Sequence, residues 1–486
     1  MTPMVSTTSG LSAKGEGLFA LLSGLTYKFA SINNSTVSSA NQLMGRNDIS
    51  YGAERQTLVG TDSSGNIYVA TYDAEISEST LIKYNSSYVS QWQLQYGGTG
   101  SYILSLYVDS SGNCYLNTIG GSIGNSLQKI NSSGTFQWEA TFTGGAYLGP
   151  IISSSTADSS GNVYIIGSYS SYRTGNARIG YTYYYSSFVI KLNSSGVQQW
   201  SRALSYGTGV TKSVITSSIY GNSIAVDSSG NVYVTLEVSG GNPAFWVLNS
   251  SGTTIQNLAV GTSVYPPGGS TSTGSFGGIT IDPTNSYVYI GWQYLSGGGT
   301  GVVRWNISSS TFDYYSVSSS YSASDLMSVI CDNSGNVYLG ARPGNSIPIT
   351  AYNANLSSVL WQKIGLNSTT TAQSFLMAGS LAYSSSLGLL VSGYAYNSTG
   401  LNNGSATIIG NVPLNGSKSG NYTIMPSIGG TDYATFQTFS SYVPVSFTLT
   451  TQATGATASS NVISGGSDSS NAWTTTTNYV TATVTI

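Results

Sequence analysis

A chain of 486 residues with no histidine, a formal net charge of −3 and only 7% charged residues lacks the groups on which much enzyme chemistry depends. Ser–His–Asp and Cys–His catalysis and the usual zinc sites are excluded, and 15 Lys+Arg spread along the whole length make no basic stripe for nucleic acid. An aromatic fraction of 12%, with 37 tyrosines and 59 glycines, is not a disordered composition; many short strands joined by Gly/Ser/Asn turns produce it.

Residues 1–50 form an N-terminal extension too small for a domain. Its opening, "MTPMVSTTSGLSAKGEGLFALLSGL", has no basic n-region, and the apolar run from Leu18 is short and broken by Gly, so it does not read as a signal peptide. No stretch reaches the ~18 apolar residues of a membrane span. Assembly without export by the general secretory route, and no membrane insertion, are the expectations. Within this extension, Thr26 to Leu43 faintly echoes a strand–turn–strand pattern, with Asn34 near the turn, and is expected to lend an outer strand to the last repeat.

From residue 51 the chain repeats itself. "TDSSGNIYV" at Thr61 returns as "VDSSGNCYL" at Val108, "ADSSGNVYI" at Ala157, "VDSSGNVYV" at Val226, "IDPTNSYVYI" at Ile281 and "CDNSGNVYL" at Cys331. The aspartates Asp62, Asp109, Asp158, Asp227, Asp282 and Asp332 are 47, 49, 69, 55 and 50 residues apart. A seventh copy, "LAYSSSLGLLVSG" from Leu381, has Ser384 at the aspartate position. The first four repeats also carry an Asn-Ser-Ser turn, at Asn85, Asn131, Asn193 and Asn249, and Asn85–Trp92, Asn131–Trp138 and Asn193–Trp200 keep one spacing.

Two hairpins per repeat, a–b across "DSSGN" and c–d across "NSSG", give four antiparallel strands in roughly 40–55 residues, the size of a propeller blade. An Asp at the first turn position accepts from backbone two residues on, while Gly and Asn tolerate positive φ. The expected fold is therefore all-β: a seven-bladed β-propeller of four-stranded antiparallel blades over residues 51–430, with a C-terminal Ser/Thr-rich β segment over 431–486 ending in "NYVTATVTI". The six turn aspartates read as structural. The glycine is misplaced for a calcium loop and no closing Glu follows, so no metal, cofactor or catalytic residue is expected. Cys114 and Cys331 read as small buried residues rather than a disulfide.

Strand order puts the a–b and c–d turns on one face and the b–c and d–a loops on the other. The second face carries the length variation. In the third repeat the b–c connection grows to "SYSSYRTGNARIGYTYYYSS", and Arg173, Arg178, Tyr181, Tyr183, Tyr184 and Tyr185 are candidate receptor-binding residues, since Tyr and Arg suit recognition of glycans or proteins. The alternative is that the alternating tyrosines simply begin strand c.

The repeats resemble the bacterial β-propeller repeat family (SBBP) and, more loosely, the NHL repeat. The termini, "STTSGLSAKGEGLF" (from Ser6) and "VPLNGSKSGNYTI" (from Val412), resemble tail-associated virion proteins of marine tailed phages, cyanophages especially, in which such a segment leads into propeller repeats. That resemblance implies a non-enzymatic virion structural protein, a tail fibre or tail-associated adhesion component. It would be present in multiple copies, held to other virion tail proteins by its N-terminal segment, and would recognise a host cell-surface glycan or protein. It would reside in the virion tail and be extracellular after release. The alternative is a cellular extracellular adhesin or filament subunit, for which the sequons at Asn85, Asn131, Asn193, Asn249 and Asn415 would be glycosylated.

Overall fold

The computed structural model describes residues 29–30, 43–48, 58–73, 78–87, 90–96, 101–120, 126–142, 150–176, 180–204, 219–238, 242–260, 274–294, 299–319, 325–342, 346–367, 374–397, 405–416, 420–423, 433–438, 451–453 and 458–459. Seven antiparallel sheets contain these strands. Their first strands, Leu58–Thr61, Ser101–Val108, Ile151–Ala157, Ile219–Val226, Gly274–Ile281, Asp325–Cys331 and Ser374–Ser384, stand side by side, and the seventh returns to the first. The molecule is an all-β, seven-bladed propeller of four-stranded antiparallel sheets, with these strands around its axis.

One turn explains why the repeats fold this way. Asp158 Oδ1 accepts from the backbone N–H of Ser160 (3.0 Å) and Asn162 (2.9 Å). Its Oδ2 accepts from Asn162 Nδ2 (2.8 Å) and the Tyr164 hydroxyl (3.1 Å). Gly161 closes the turn at φ 77°, a region a side chain resists. The same four bonds recur at Asp62, Asp109, Asp227 and Asp332. In the divergent "DPTNS" turn, Asn285 takes the positive φ, 56°, that glycine supplies elsewhere. The c–d turn works alike: Asn131 Oδ1 accepts from Ser133 N and Thr135 N, so its sequon is turn chemistry.

The blades are held together by what these turns position. Tyr68, Tyr115, Tyr164 and Tyr338, each two residues past its turn's Asn, are almost wholly buried between sheets. Aliphatic residues of adjoining blades mesh around them, as where Ile103, Cys114 and Leu116 of blade 2 pack on Leu81 and Leu94 of blade 1.

The chain ends depart from the simple repeat. Blade 7 takes its first three strands from Ser374–Ser384, Gly388–Asn397 and Ser405–Val412, but its outer strand is Leu43–Asp48, running from Leu43↔Gly410 to Asp48↔Ser405, with Phe29–Ala30 outside it. The closing strand therefore lies immediately downstream of the pattern at Thr26–Leu43. With that position filled, Gly420–Thr423 does not complete a final c–d hairpin. It pairs with Tyr433–Thr438, which lies along Val359–Asn367, the outer strand of blade 6. Thr451–Ala453 then pairs with the outer strand of blade 4, Thr254–Val260, and Ala458–Ser459 with that of blade 3, Gln198–Leu204.

Candidate functional site

Most polar chemistry on the turn face is used internally. The turn carboxylates are filled by their own loops, and several cations lie over aromatic rings: Lys83 over Tyr68 at 5.3 Å, Lys129 over Tyr115 at 5.4 Å, Lys191 over Tyr164 at 5.0 Å and Arg304 over Tyr287 at 4.4 Å. Arg202 stacks on Trp200 and donates to the carbonyls of Gly252 (2.8 Å) and Ser251 (3.0 Å) in the next blade. Each such contact contributes about 0.5–1 kcal/mol where exposed. No group of three or more acids or cysteines able to hold a metal occurs among the described residues.

The inner strands bend before they reach the opposite face. Bulges fall between Ile103 and Ser105, Ile152 and Ser154, Gly221 and Ser223, Phe276 and Ile279, Asp325 and Ser328, and Ala378 and Leu381. A bulge ends regular pairing and re-aims its neighbours. Here hydroxyls of adjacent blades satisfy the freed amides. Ser168 Oγ accepts from Gly221 N (2.9 Å), Ser79 Oγ from Ile103 N (3.1 Å) and Ser328 Oγ from Leu381 N (3.2 Å), and on the unbulged inner strand of blade 1 Ser380 Oγ likewise accepts from Val59 N (2.8 Å). Buried Asn117 joins Ser105 and Ser155 by its amide N–H. This belt around the axis is neutral and hydrogen-bonding.

The third blade differs from the rest. Its b and c strands, Val163–Asn176 and Gly180–Leu192, pair along their whole length, whereas the b strands of blades 1, 2 and 4 have seven residues each. At ~3.3 Å per residue the extra length carries this hairpin roughly 20 Å further than its neighbours. The long connection is a β arm rather than an irregular loop. Of the two sequence readings, the tyrosines do lie in strand c. Yet Arg173 stands opposite Tyr183, Gly175 opposite Tyr181, Tyr172 opposite Tyr184 and Ser170 opposite Tyr185, with a bulge between Ser170 and Tyr172. Arg178 lies outside the described residues. Tyr172 was missed from sequence, although "YSSYR" and "YTYYY" mirror each other across the hairpin.

The arm is firmly rooted. Phe188 is fully buried and Tyr169 nearly so, their rings 6.3 Å apart within the core between blades 2 and 3. Burial raises the Tyr169 hydroxyl to about 12, so it is neutral at physiological pH. Between residues 169 and 185 the sequence has Tyr169, Tyr172, Tyr181, Tyr183, Tyr184, Tyr185, Arg173 and Arg178, and no acid. In a chain of net charge −3, this stretch stands apart as aromatic and cationic.

Comparison with known proteins adds a family model and a set of folds. The model of the β-propeller repeat (SBBP) matches residues 199–235, which run from the outer strand of blade 3 to the second strand of blade 4. No curated protein matches the sequence. Among solved structures, an oligogalacturonate lyase from Vibrio parahaemolyticus aligns at 9% identity and TM-score 0.43, over 80% of this chain and 97% of its own. The periplasmic gluconolactonase of Pseudomonas aeruginosa aligns at 10% and 0.38, over 63% and 94%. A polysaccharide lyase aligns at 9% and 0.40, over 75% and 92%. At such identity the likeness is one of fold and assigns no reaction to this chain.

These findings correct the functional expectations drawn from the termini. The solved structures named above are two lyases and a gluconolactonase, not phage virion proteins, so the tail-fibre and host-attachment reading is withdrawn, together with its adhesin alternative and the conclusion that the chain is not an enzyme. The physical reason lies in what carried the resemblance. The stretch from Ser6 lies outside the described residues, and the Asn415-Gly416 turn, with Gly416 at φ 64°, is turn chemistry that any propeller can use.

Proposed function

We propose that the propeller binds an acidic polysaccharide through the blade 3 arm. The observation that carries this is the register of Arg173 against Tyr183, flanked by Tyr172 against Tyr184, on an arm without a single acid. Tyrosine rings offer apolar faces to the C–H surfaces of sugars at small conformational cost, and guanidinium groups pair with carboxylates or sulfates through two parallel hydrogen bonds. The anchored root at Tyr169 and Phe188 limits the ordering cost of binding.

The test compares the intact protein with a variant in which residues 171–184 are replaced by Asn-Gly, a turn that closes a two-residue hairpin. Retention on alginate and heparin, with dextran as the uncharged control, is the measurement. The intact protein is expected to bind the acidic polymers and the armless variant to release them. Equal retention of both proteins, or retention on dextran, would sink the reading. Absorbance of unsaturated uronates in the same incubations shows whether the bound polymer is also cleaved.

A further inference from the structure

The two faces of the blade 3 arm are not equivalent, and the register tells them apart. Successive residues of a strand belong to opposite faces, and directly paired residues share one. At the root of the arm, Phe188 and Ile190 belong to the core between blades 2 and 3, whereas Val189 belongs to that between blades 3 and 4. Strand b agrees: Tyr169 packs on the blade 2 side, and Ser168 accepts from Gly221 of blade 4. Every residue of strand c, Gly180–Leu192, is paired with strand b in unbroken sequence. Tyr181, Tyr183 and Tyr185 therefore share the face of Val189, while Thr182 and Tyr184 share that of Phe188.

In strand b the bulge decides the matter. Alternation counted from Ser168 would put Tyr172 on the blade 4 side and Arg173 on the blade 2 side. The extra residue between Ser170 and Tyr172 reverses this, because Arg173 pairs with Tyr183 and Tyr172 with Tyr184. A bulge re-aims the residues beyond it. One face of the arm thus has Tyr181, Tyr183 and Tyr185 in a row, with Arg173 opposite the middle one and the small residues Gly175 and Ser170 opposite the outer two. The other face has the pair Tyr172–Tyr184 next to the pair Thr174–Thr182.

We propose that an extended stretch of acidic polysaccharide lies along the first of these faces, the one continuous with the blade 4 side of blade 3, and not along the other. This rests on the reading of the arm as the polysaccharide-binding element. Tyr181 to Tyr185 span roughly 13 Å at ~3.3 Å per residue, longer than a single sugar ring. The site therefore takes several sugars in a row. Arg173 holds the carboxylate or sulfate of a central sugar, and Tyr181 and Tyr185 take the sugars on either side. Tyr172 and Tyr184, directly opposite each other on the far face, serve the ribbon instead, since an aromatic cross-strand pair stabilises it.

Two double variants test this, Tyr181→Ser/Tyr185→Ser on the proposed face and Tyr172→Ser/Tyr184→Ser on the other, both keeping Arg173 and Tyr183. Retention on alginate should fall about tenfold or more in the first, as for loss of aromatic anchors, and stay close to that of the intact protein in the second. Short oligogalacturonates should displace the intact protein from alginate, and free galacturonate should not. Should a variant fail to fold, nitration of the intact protein by tetranitromethane, read by peptide mass spectrometry, gives the same answer: bound alginate should protect Tyr181 and Tyr185 more than Tyr172 and Tyr184. A loss in the second variant as large as in the first, or equal protection of all four tyrosines, overturns the face assignment. Displacement by galacturonate as readily as by its oligomers overturns the extended site. Equal retention of the intact and armless proteins removes the polysaccharide reading itself, so the two failures are distinct.

Discussion

The indole N–H of Trp138, on the outer strand of blade 2, donates to the carbonyl of Ser194 in the c–d turn of blade 3, at 2.9 Å. The relation repeats from Trp92 to Ser132 (3.1 Å), Trp200 to Ser250 (3.0 Å) and Trp361 to Leu414 (2.6 Å). Each ring lies against the glycine of the turn it bonds, and that glycine has positive φ. The conserved-looking spacing of Asn-Ser-Ser turns and tryptophans is thus two halves of one inter-blade clasp.

Gly196→Ala tests the clasp. A Cβ there would come 2.8 Å from Trp138 Cδ2, at φ +80°, so overpacking adds to the left-handed backbone cost, together ~2–4 kcal/mol. Gly161→Ala is the comparator: its φ is +77°, but the nearest atom is Ser194 Cβ at 3.3 Å, leaving chiefly the backbone cost of ~1–2 kcal/mol. Thermal unfolding should place Gly196→Ala several degrees below Gly161→Ala. The reverse order would show that the ring yields freely.

Asp158→Ala removes the acceptor for four donors, three of them in or beside its own turn and one from Tyr164. Loss of this many charge-assisted bonds should cost about 2–4 kcal/mol. Tyr164→Phe removes one of them and should cost about 1 kcal/mol. Denaturant midpoints of the two variants give the comparison, and equal midpoints would mean that the tyrosine bond alone matters.

Alkali should unfold the propeller in a narrow range. Burial, reinforced by the nearby turn carboxylate, raises the hydroxyls of Tyr68, Tyr115, Tyr164, Tyr233 and Tyr338 far above their ordinary value near 10. The neutral phenol is the form the fold prefers. Its contribution is complete below the unfolded-state value near 10 and is lost as the pH rises above it toward the folded value. Phenolate absorbance should therefore rise in two stages, exposed tyrosines first and these together with loss of structure. A single smooth titration with the fold intact would contradict this.

Arg173→Ala and Tyr183→Ala should each weaken retention on alginate by roughly tenfold, the usual cost of a central Arg or Tyr anchor, with melting temperature unchanged. Rising salt should weaken binding of the intact protein through screening of the guanidinium contact and should affect Arg173→Ala less. Equal salt dependence of the two proteins would remove Arg173 from the interface.

Removing residues 1–48 deletes the outer strand of blade 7 and frees the edge of Ser405–Val412. A lower melting temperature and self-association through that edge are expected, read by calorimetry and light scattering. An unchanged monomer would show that the ring closes without its N-terminal strand.

The aspartate turns could be read directly because every partner of Asp158 lies within six residues of it, so the motif is complete in one line of sequence. Arg173 and Tyr183 could be noticed as residue types but not as neighbours, since their pairing depends on the hairpin register and on a bulge at Ser170–Tyr172. Ser168 and Gly221 gave no signal at all. Their bond joins blades 53 positions apart, and neither residue is unusual where it stands.

The sequence by itself determined the number of blades and the order of strands within each, because a four-residue turn and the alternation beside it are settled by local sterics and hydrogen bonds. Only the tertiary structure decided how the ring closes and where the ends go. An outer edge accepts any extended segment of suitable alternation, since backbone hydrogen bonds do not distinguish one sequence from another. Leu43–Asp48 therefore occupies the outer position of blade 7, and strands from the chain after Gly416 pair instead with the outer strands of blades 6, 4 and 3.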